Sequence, residues 1–140
     1  MLLKNLHIIN FKMFEDLNLQ FKPGFNLILG DNGVGKTSVL EAATVAVSGF
    51  LTGMEYIPTR NIYKDDIHYN ILVNNNGTFD RSYCYPVEIE STISYAGTDY
   101  TWGRTKISSR TMISPKDILK VSRDLINSTE HRENMKYLRY

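Results

Sequence analysis

The residues best suited to chemistry lie in one short run, Gly30-Asp31-Asn32-Gly33-Val34-Gly35-Lys36-Thr37. Its spacing is G-x-x-x-x-G-K-T, the Walker A phosphate loop. Glycines let the backbone of such a loop curl, so that successive N–H groups point inward at the α- and β-phosphates of a nucleotide. Lys36 would reach the β- and γ-phosphates as a point charge, and the Thr37 hydroxyl would bind Mg²⁺. The run therefore predicts a nucleotide site that uses Mg²⁺.

The segments on either side of the loop supply the elements that would position it. Phe25–Leu29 is a short apolar run typical of a strand, and Ser38–Leu51 has no Pro and no Gly before Gly49, as expected of a helix. Apolar residues lie nearly all round this helix, which predicts burial on most sides, and Gly53 is expected to end it. The helix N-terminus would add positive potential at the phosphates. This strand-loop-helix order is the context in which the motif forms a phosphate site.

Two further strands are predicted before the loop. Leu2–Phe11 is rich in Leu, Ile and Phe, and Phe14–Phe21 alternates apolar and polar residues. Pro23-Gly24 is a turn signal that leads into Phe25–Leu29. Together these segments predict a small antiparallel unit in the first 29 residues.

The chain after the helix is less regular at first. Met54–Asp80 is punctuated by turn residues, with Ile71–Val73 as a short strand. From Cys84 onward, alternation predicts a strand with one wet face through Tyr95. A hairpin loop at Ala96–Asp99 would return the chain through Tyr100–Ile107, and Ser114-Pro115 would open a helix over Pro115–Asn127.

Composition and charge narrow the class of protein. The 140 residues, 42% of them hydrophobic, suffice for one core, and the net charge of +1 gives no global attraction to nucleic acid or membrane. The single cysteine, Cys84, excludes an internal disulfide and fits a reducing compartment. No signal peptide is apparent, and the longest apolar helical run, Val39–Leu51, is too short to span a bilayer. We expect a cytoplasmic protein with no membrane partner.

The machinery for hydrolysis is not visible. A phosphate-loop ATPase also needs an acidic residue at the end of a second apolar strand, usually with a base or water-orienting group beside it. No four apolar residues are followed by Asp, and no L-S-G-G signature occurs. We therefore expect this segment alone to bind nucleotide without hydrolysing it, with the rest of the site supplied by a longer protein or another chain.

Two blocks together resemble a known class. Ile9–Leu17 and Pro23–Ala42 resemble the N-terminus of SMC/RecF-class ATPases, in which an I-x-N-F-(K/R)-x-F strand precedes a G-x-N-G-x-G-K-(S/T)-x-L-E-A loop. The resemblance implies an α/β fold, a P-loop NTPase of ABC-head type. Residues 1–140 would be its N-terminal lobe, with antiparallel β-strands around the Walker A strand-loop-helix. The second lobe, which carries Walker B and the signature motif, would be absent.

A looser resemblance extends over most of the remainder. It is to bacterial predicted ATP-binding proteins that include Septu-type and retron-associated anti-phage defence ATPases. The segments that carry it are Thr59-Arg60-Asn61-Ile62, Asp65-Asp66-Ile67, Tyr85–Glu90 and Trp102-Gly103-Arg104 with the following helix.

The resemblance also implies ligands and roles. In this class two heads sandwich two ATP molecules, so a homodimer is expected. Lys12 would approach the phosphates, Asn32 the γ-phosphate or its attacking water, and Ser38 the α-phosphate. The complete nucleotide-binding set would be Lys12, Gly30, Asn32, Gly33, Val34, Gly35, Lys36, Thr37 and Ser38, with Thr37 as metal ligand and no catalytic residue. The sequence departs from the class in its Mg²⁺-binding Gln, because the only Gln, Gln20, precedes the loop.

Three functions remain open. The leading one is ATP-driven dimerisation or gating in bacterial DNA surveillance or anti-phage defence, with DNA and a nuclease as possible partners. The second is the head of an ATPase-nuclease of the overcoming-lysogenisation type, and the third a non-hydrolysing scaffold stabilised by nucleotide. A small GTPase is disfavoured because no guanine-reading N-K-x-D run is present.

Other candidate sites have ordinary alternatives. Asp65 and Asp66 could hold a metal or simply face solvent. His7, His68, His131 and Cys84 share no ligand spacing, which argues against zinc. The basic and aromatic residues Tyr100, Trp102, Arg104, Lys106 and Arg110 could contact nucleic acid or form a wet sheet face.

Overall fold

A computed structural model of the chain describes residues 1–51, 58–108, 110–113 and 124. In chain order its elements are β1 (Leu2–Phe11), β2 (Phe14–Gln20), α1 (Lys36–Phe50), a short 3₁₀ helix (Lys64–Asp66), β3 (Tyr69–Val73), β4 (Phe79–Tyr83), β5 (Val87–Tyr95), β6 (Thr98–Ile107) and β7 (Arg110–Ile113). Among the residues described, no helix is long and apolar enough to span a bilayer.

Five of the strands form one antiparallel sheet in the order β2-β1-β5-β6-β7. The predicted strands before the loop are confirmed as β1 and β2, and the predicted later hairpin as β5 and β6. The β5–β6 turn is shorter than predicted, because Tyr95 already pairs with Thr98. Ala96 and Gly97 both have positive φ, at 50° and 82°, as a two-residue hairpin turn requires.

The core lies between this sheet and α1. Leu6 and Ile8 of β1 and Val87 and Ile89 of β5 are buried, while the residues between them on each strand face the other side. The helix contributes Ala42, Val45 and Ala46 to the same cluster. Burying each branched side chain contributes about 1.5–3 kcal/mol, so the alternation of the strands specifies which sheet face covers the helix. Helix α1 therefore begins at the phosphate loop and is held along its length.

A separate two-stranded hairpin is formed by β3 and β4, with Ile71 opposite Arg81 and Val73 opposite Phe79. The short strand predicted at Ile71–Val73 is confirmed within β3, whereas β4 was missed because its sequence, F-D-R-S-Y, is mostly polar. The short loop at residues 74–78 was the available signal, since a glycine such as Gly77, with φ of 78°, is typical of the longer hairpin loops.

The predicted strand at Phe25–Leu29 is wrong for the described residues. The segment makes no strand pairing, and Phe25 and Leu29 are 88% and 78% exposed. A strand is defined by ladder hydrogen bonds to a neighbour, and no described strand lies beside this segment.

Other boundaries also differ from the predictions. Cys84 and Tyr85 precede β5 instead of belonging to it, and Cys84 is half-buried beside the end of β4. The predicted helix stop at Gly53 lies outside the described residues, as does the predicted helix over Pro115–Asn127 apart from Asp124.

Candidate nucleotide-binding site

The phosphate loop is a compact turn that runs directly into α1. Gly33 and Gly35 adopt φ of 88° and 92°, conformations that side chains rarely permit. Gly35 is the N-cap of α1, which has no side-chain cap and no acidic residue in its first turn. The first amide N–H groups of a helix have no intrahelical acceptor, and they carry the positive end of its dipole. This end of α1 is therefore suited to an anion.

Lys36 closes the loop from within. Its Nζ donates to the carbonyl oxygens of Gly30 at 2.6 Å and Asp31 at 2.5 Å. A lysine ammonium has three N–H donors, so one remains for a ligand. The lysine thus fixes the shape of the loop and still carries its charge at the rim.

A cavity of about 250 Å³ opens beside the loop. Its lining residues are Met13, Asn32, Gly33, Gly35, Lys36, Thr37 and Ser38. The lining has an ammonium, hydroxyls, an amide side chain and backbone, and no carboxylate, which is the chemistry of a phosphate site. A larger concavity of about 640 Å³ lies against the polar outer face of the sheet and includes Glu90, so its chemistry does not suit a polyphosphate.

Mg²⁺ would have Thr37 as its protein ligand here. The Thr37 side chain is exposed at the first turn of α1. Mg²⁺ usually keeps several waters and binds substrate phosphates with few protein groups, so one hydroxyl fits its needs. Within the described part of the chain, no three His, Cys, Asp or Glu residues form a group able to hold a metal.

The β1–β2 turn packs directly against the loop. A Cβ on Gly35 would overlap Met13 Sδ and lie 2.5 Å from Phe14 Cζ. This contact needs glycine at 35, and it places the I-x-N-F-K-x-F segment next to the phosphate cavity. The two blocks that define the resemblance are therefore brought together by the fold.

Lys12, in that turn, lies among carboxylates. Its Nζ forms an ion pair with Glu41 of α1 and lies 3.6 Å from Asp66 Oδ1. Its N–H donates to Asp66 O at 2.6 Å, and its carbonyl accepts a hydrogen bond from His68 Nδ1 at 2.7 Å. The predicted approach of Lys12 to the phosphates stays a prediction. The structure shows in addition that Lys12 is paired with Glu41.

Asp65 and Asp66 have different environments. Asp65 is exposed, whereas the Asp66 side chain is only 4% exposed and accepts hydrogen bonds from Arg60 Nη1 and Nη2 at 3.3 and 3.2 Å. The Tyr63 N–H also donates to Asp66, at 2.9 Å. Asp66 is therefore not solvent-facing, and its charge is balanced by Arg60. Sequence reasoning missed Glu41 because its partner, Lys12, is distant in the chain. It missed the pairing of Arg60 with Asp66 because no helix or strand periodicity relates these two residues.

The β6 residues proposed for nucleic-acid contact are mostly buried. Trp102 and Arg104 are 2% and 0% exposed, since alternate residues of β6 face α1. Trp102 Nε1–H donates to Ala46 O at 3.0 Å. Arg104 donates to Asn61 Oδ1 at 3.1 Å, and burial lowers the pKa of the Arg104 guanidinium. Lys106 Nζ donates to Ile62 O at 2.8 Å. Trp102 and Arg104 therefore form neither a nucleic-acid surface nor part of the solvent-facing side of the hairpin, and the Arg110 side chain lies outside what the structure describes.

The remaining titratable candidates serve local contacts. His7 Nε2 lies 2.8 Å from Asp16 Oδ1 on the outer face of the sheet, and His131 lies outside the described residues. Tyr100 OH donates to Asp124 Oδ2 at 2.9 Å, and this bond raises the pKa of Tyr100.

Comparison with known proteins identifies the family. A profile described as an AAA domain matches residues 5–139. The chain belongs to the AAA domain family. This AAA domain is 34% identical over 119 residues to a DNA double-strand break repair Rad50 ATPase of Archaeoglobus fulgidus, a match to 85% of this chain and 11% of that protein.

Two DNA replication and repair proteins are also similar to the chain. A DNA replication and repair protein RecF of Clostridium botulinum is 30% identical over 93 residues, covering 66% of this AAA domain and 23% of the relative. A RecF of Lachnoclostridium phytofermentans is 48% identical over 42 residues, covering 30% and 12%. The chain thus spans only 11% to 23% of these curated relatives.

The fold has a solved counterpart. A structure from work on ATP-driven dimerization and DNA-stimulated activation of SMC ATPases matches with a TM-score of 0.57 and 17% identity, covering 91% of this AAA domain and 79% of that chain. The predicted fold class, a P-loop NTPase of ABC-head type with a mostly antiparallel lobe, is confirmed. The SMC/RecF resemblance is confirmed at the level of the family.

Proposed function

We propose that this chain is the N-terminal lobe of an SMC/RecF-like ATPase head and that it binds ATP with Mg²⁺ at the phosphate loop. The observation that carries the proposal is the loop itself. Its uncapped helix N-terminus, its lysine and its hydroxyls line one cavity that no carboxylate enters. Each of these groups favours a polyanion.

The residue roles proposed here are those that the Walker A motif and the family resemblance imply. Lys36 contacts the β- and γ-phosphates, and Thr37 contributes its hydroxyl to Mg²⁺. The amides of Gly30, Gly33, Val34 and Gly35 wrap the phosphates, while Asn32, Ser38 and Lys12 contact the γ-, α- and adjoining phosphate oxygens. When bound, Mg²⁺ supplies charge neutralisation at the phosphates.

Hydrolysis, in this proposal, needs a second lobe and a second head. The apolar residues Phe25, Leu27 and Leu29 are exposed beside the loop, and an apolar groove of about 510 Å³ runs along α1 past Leu40 and Val47. Exposed apolar surface of this kind marks an interaction site. We assign it to the second lobe, which would bring the acidic strand and the signature motif.

The biological role we propose is ATP-dependent dimerisation or gating in bacterial DNA surveillance or anti-phage defence, in the cytoplasm. The Rad50 and RecF relatives, named for DNA repair and replication, support DNA as a partner. The looser resemblance to Septu-type and retron-associated ATPases supports defence and a nuclease partner. A nucleotide-stabilised scaffold is the rival, favoured by the lack of an Asp-ended apolar strand in these 140 residues.

Replacing Lys36 tests the site directly. Lys36→Ala removes a charge-assisted contact of roughly 1.5–3 kcal/mol, so ATP affinity should fall about ten- to hundredfold while the fold is retained. Isothermal titration with ATP and Mg²⁺, beside circular dichroism, measures both. Lys22→Ala, at an exposed lysine outside the cavity, is the matched control and should bind like wild type. Equal binding by Lys36→Ala and wild type would overturn the nucleotide site.

A further inference from the structure

The backbone of Lys12 adopts a conformation that is rare for residues other than glycine. Its φ is 52°, in the left-handed region that is unfavourable for a non-glycine residue. The hydrogen bonds from its N–H to Asp66 O and from His68 Nδ1 to its carbonyl keep it there. The backbone therefore aims the Lys12 side chain in one direction.

The side chain of Lys12 is held as well. Glu41 contacts its ammonium from α1, and Asp66 Oδ1 of the 3₁₀ helix lies 3.6 Å away. A lysine loses rotamer entropy when it is ordered, and the nearby carboxylates offset that loss before any ligand binds. Asp66 is already neutralised by Arg60, so Glu41 is the carboxylate that depends on Lys12.

Glu41 lies next to the phosphate-facing turn of α1. It follows Thr37 by four residues and Ser38 by three, spacings that place all three side chains on one helix face. Helical side chains tilt toward the N-terminus, which brings the Glu41 carboxylate toward the loop. Met13, adjacent to Lys12, lines the phosphate cavity and also a neighbouring cavity of about 450 Å³ that Lys12 lines.

We propose that Glu41 is a positioning residue that holds the Lys12 ammonium beside the phosphate cavity, ready to contact a nucleotide phosphate, with Asp66 as a second, more distant negative charge. The inference rests on the proposed function. Because the ammonium has three N–H donors, it can keep Glu41 and still donate to a phosphate oxygen. Glu41 thus acts on the nucleotide through Lys12, as a preorganised support of a direct ligand.

A double-mutant cycle in the 140-residue chain tests this role. ATP affinity is measured by isothermal titration for wild type, Lys12→Ala, Glu41→Gln and the double variant. We expect Lys12→Ala to weaken binding roughly tenfold or more. Glu41→Gln should weaken it about three- to tenfold when Lys12 is present and less than about twofold when Lys12 is absent. The matched control is Glu90→Gln, on the sheet face away from α1, which should bind like wild type.

The alternatives give different patterns. If Glu41 had a purely structural role, Glu41→Gln would weaken ATP binding equally with Lys12 present and with Lys12→Ala. If the Glu41 charge simply repelled phosphate, Glu41→Gln would bind ATP more tightly. Either result overturns the inference. If Glu41→Gln does not fold, Glu41→Asp replaces it in the cycle, and the lack of a Lys12-dependent loss there overturns the inference as well. ATP binding that is absent, or that does not depend on Lys36, would instead refute the nucleotide site itself.

Discussion

Gly33 and Gly35 share a left-handed backbone but have different surroundings. A Cβ at Gly33 would meet no heavy atom within 4 Å, whereas one at Gly35 would collide with the side chains of Met13 and Phe14. Backbone conformation alone requires the first glycine. The second is also required by the contact that attaches the loop to the β1–β2 turn.

These surroundings predict unequal effects of alanine. Gly33→Ala should lower the free energy of unfolding by about 1–2 kcal/mol, the cost of a left-handed alanine. Gly35→Ala should cost more and should weaken ATP binding more strongly, because Met13 and Phe14 must move. Urea unfolding and ATP titration of both variants measure the difference. Equal losses in the two variants would show that the packing of the turn on the loop is unimportant.

At the level of elements, α1 and β6 meet at Gly49. The indole of Trp102 crosses the helix there and donates to Ala46 O, and a Cβ on Gly49 would lie 2.9 Å from Trp102 Nε1 and 3.2 Å from Cδ1. Glycine inside a helix is ordinarily unfavourable. Gly49 allows α1 to lie close to the sheet. Glycine at this position therefore favours packing at the expense of helix propensity.

Gly49→Ala therefore tests whether helix propensity or the contact with Trp102 has the larger effect on stability. Propensity alone would stabilise the helix by about 1 kcal/mol, but displacing a buried indole should give a net loss of about 1–3 kcal/mol. The control is Thr44→Ala, at an exposed position of the same helix, which should be neutral or slightly stabilising. Thermal and urea unfolding give the comparison, and a stabilised Gly49→Ala would contradict the Trp102 contact.

At the level of the whole molecule, the phosphate loop lies at the border of a surface that the described residues leave uncovered. Phe25, Leu27, Leu29 and Leu40 are exposed beside it. The curated relatives are also four or more times longer than the part matched here. Both facts support the proposed function, in which a second lobe supplies the hydrolytic half of the site.

We therefore expect the 140-residue chain to bind ATP without turning it over. With ATP and Mg²⁺ in excess, phosphate release should equal that of Lys36→Ala, because no Asp-ended apolar strand is available to complete the metal shell. A coupled phosphate assay measures release, and titration of the same sample shows that nucleotide is bound. Saturable release that is lost in Lys36→Ala would contradict the need for a second lobe.

Several features were predictable because they depend on neighbours in the chain. The phosphate loop was identified from glycine spacing, and β1, β2, β5 and β6 from alternation, since side chains of a strand point to opposite faces with a period of two. Helix α1 followed from the lack of breakers after Lys36. In each case the structure is determined by residues that are close together in the sequence.

Other features depended on partners that are far apart in sequence. The pattern of Phe25–Leu29 is that of a strand, yet only a neighbouring strand could make it one. Trp102 and Arg104 looked accessible until the sheet placed them against α1 and the segment at residues 60–62.

By itself the sequence determined where the G-x-x-x-x-G-K-T loop lies, that a helix follows it and where β1, β2, β5 and β6 run, because backbone curvature and strand periodicity are local properties. Only the tertiary structure decided that Met13 packs on Gly35, that Arg60 neutralises Asp66 and that Glu41 holds Lys12. Those contacts join the β1–β2 turn, the phosphate-loop helix and the 3₁₀ turn. Their energies depend on distances that no spacing along the chain encodes.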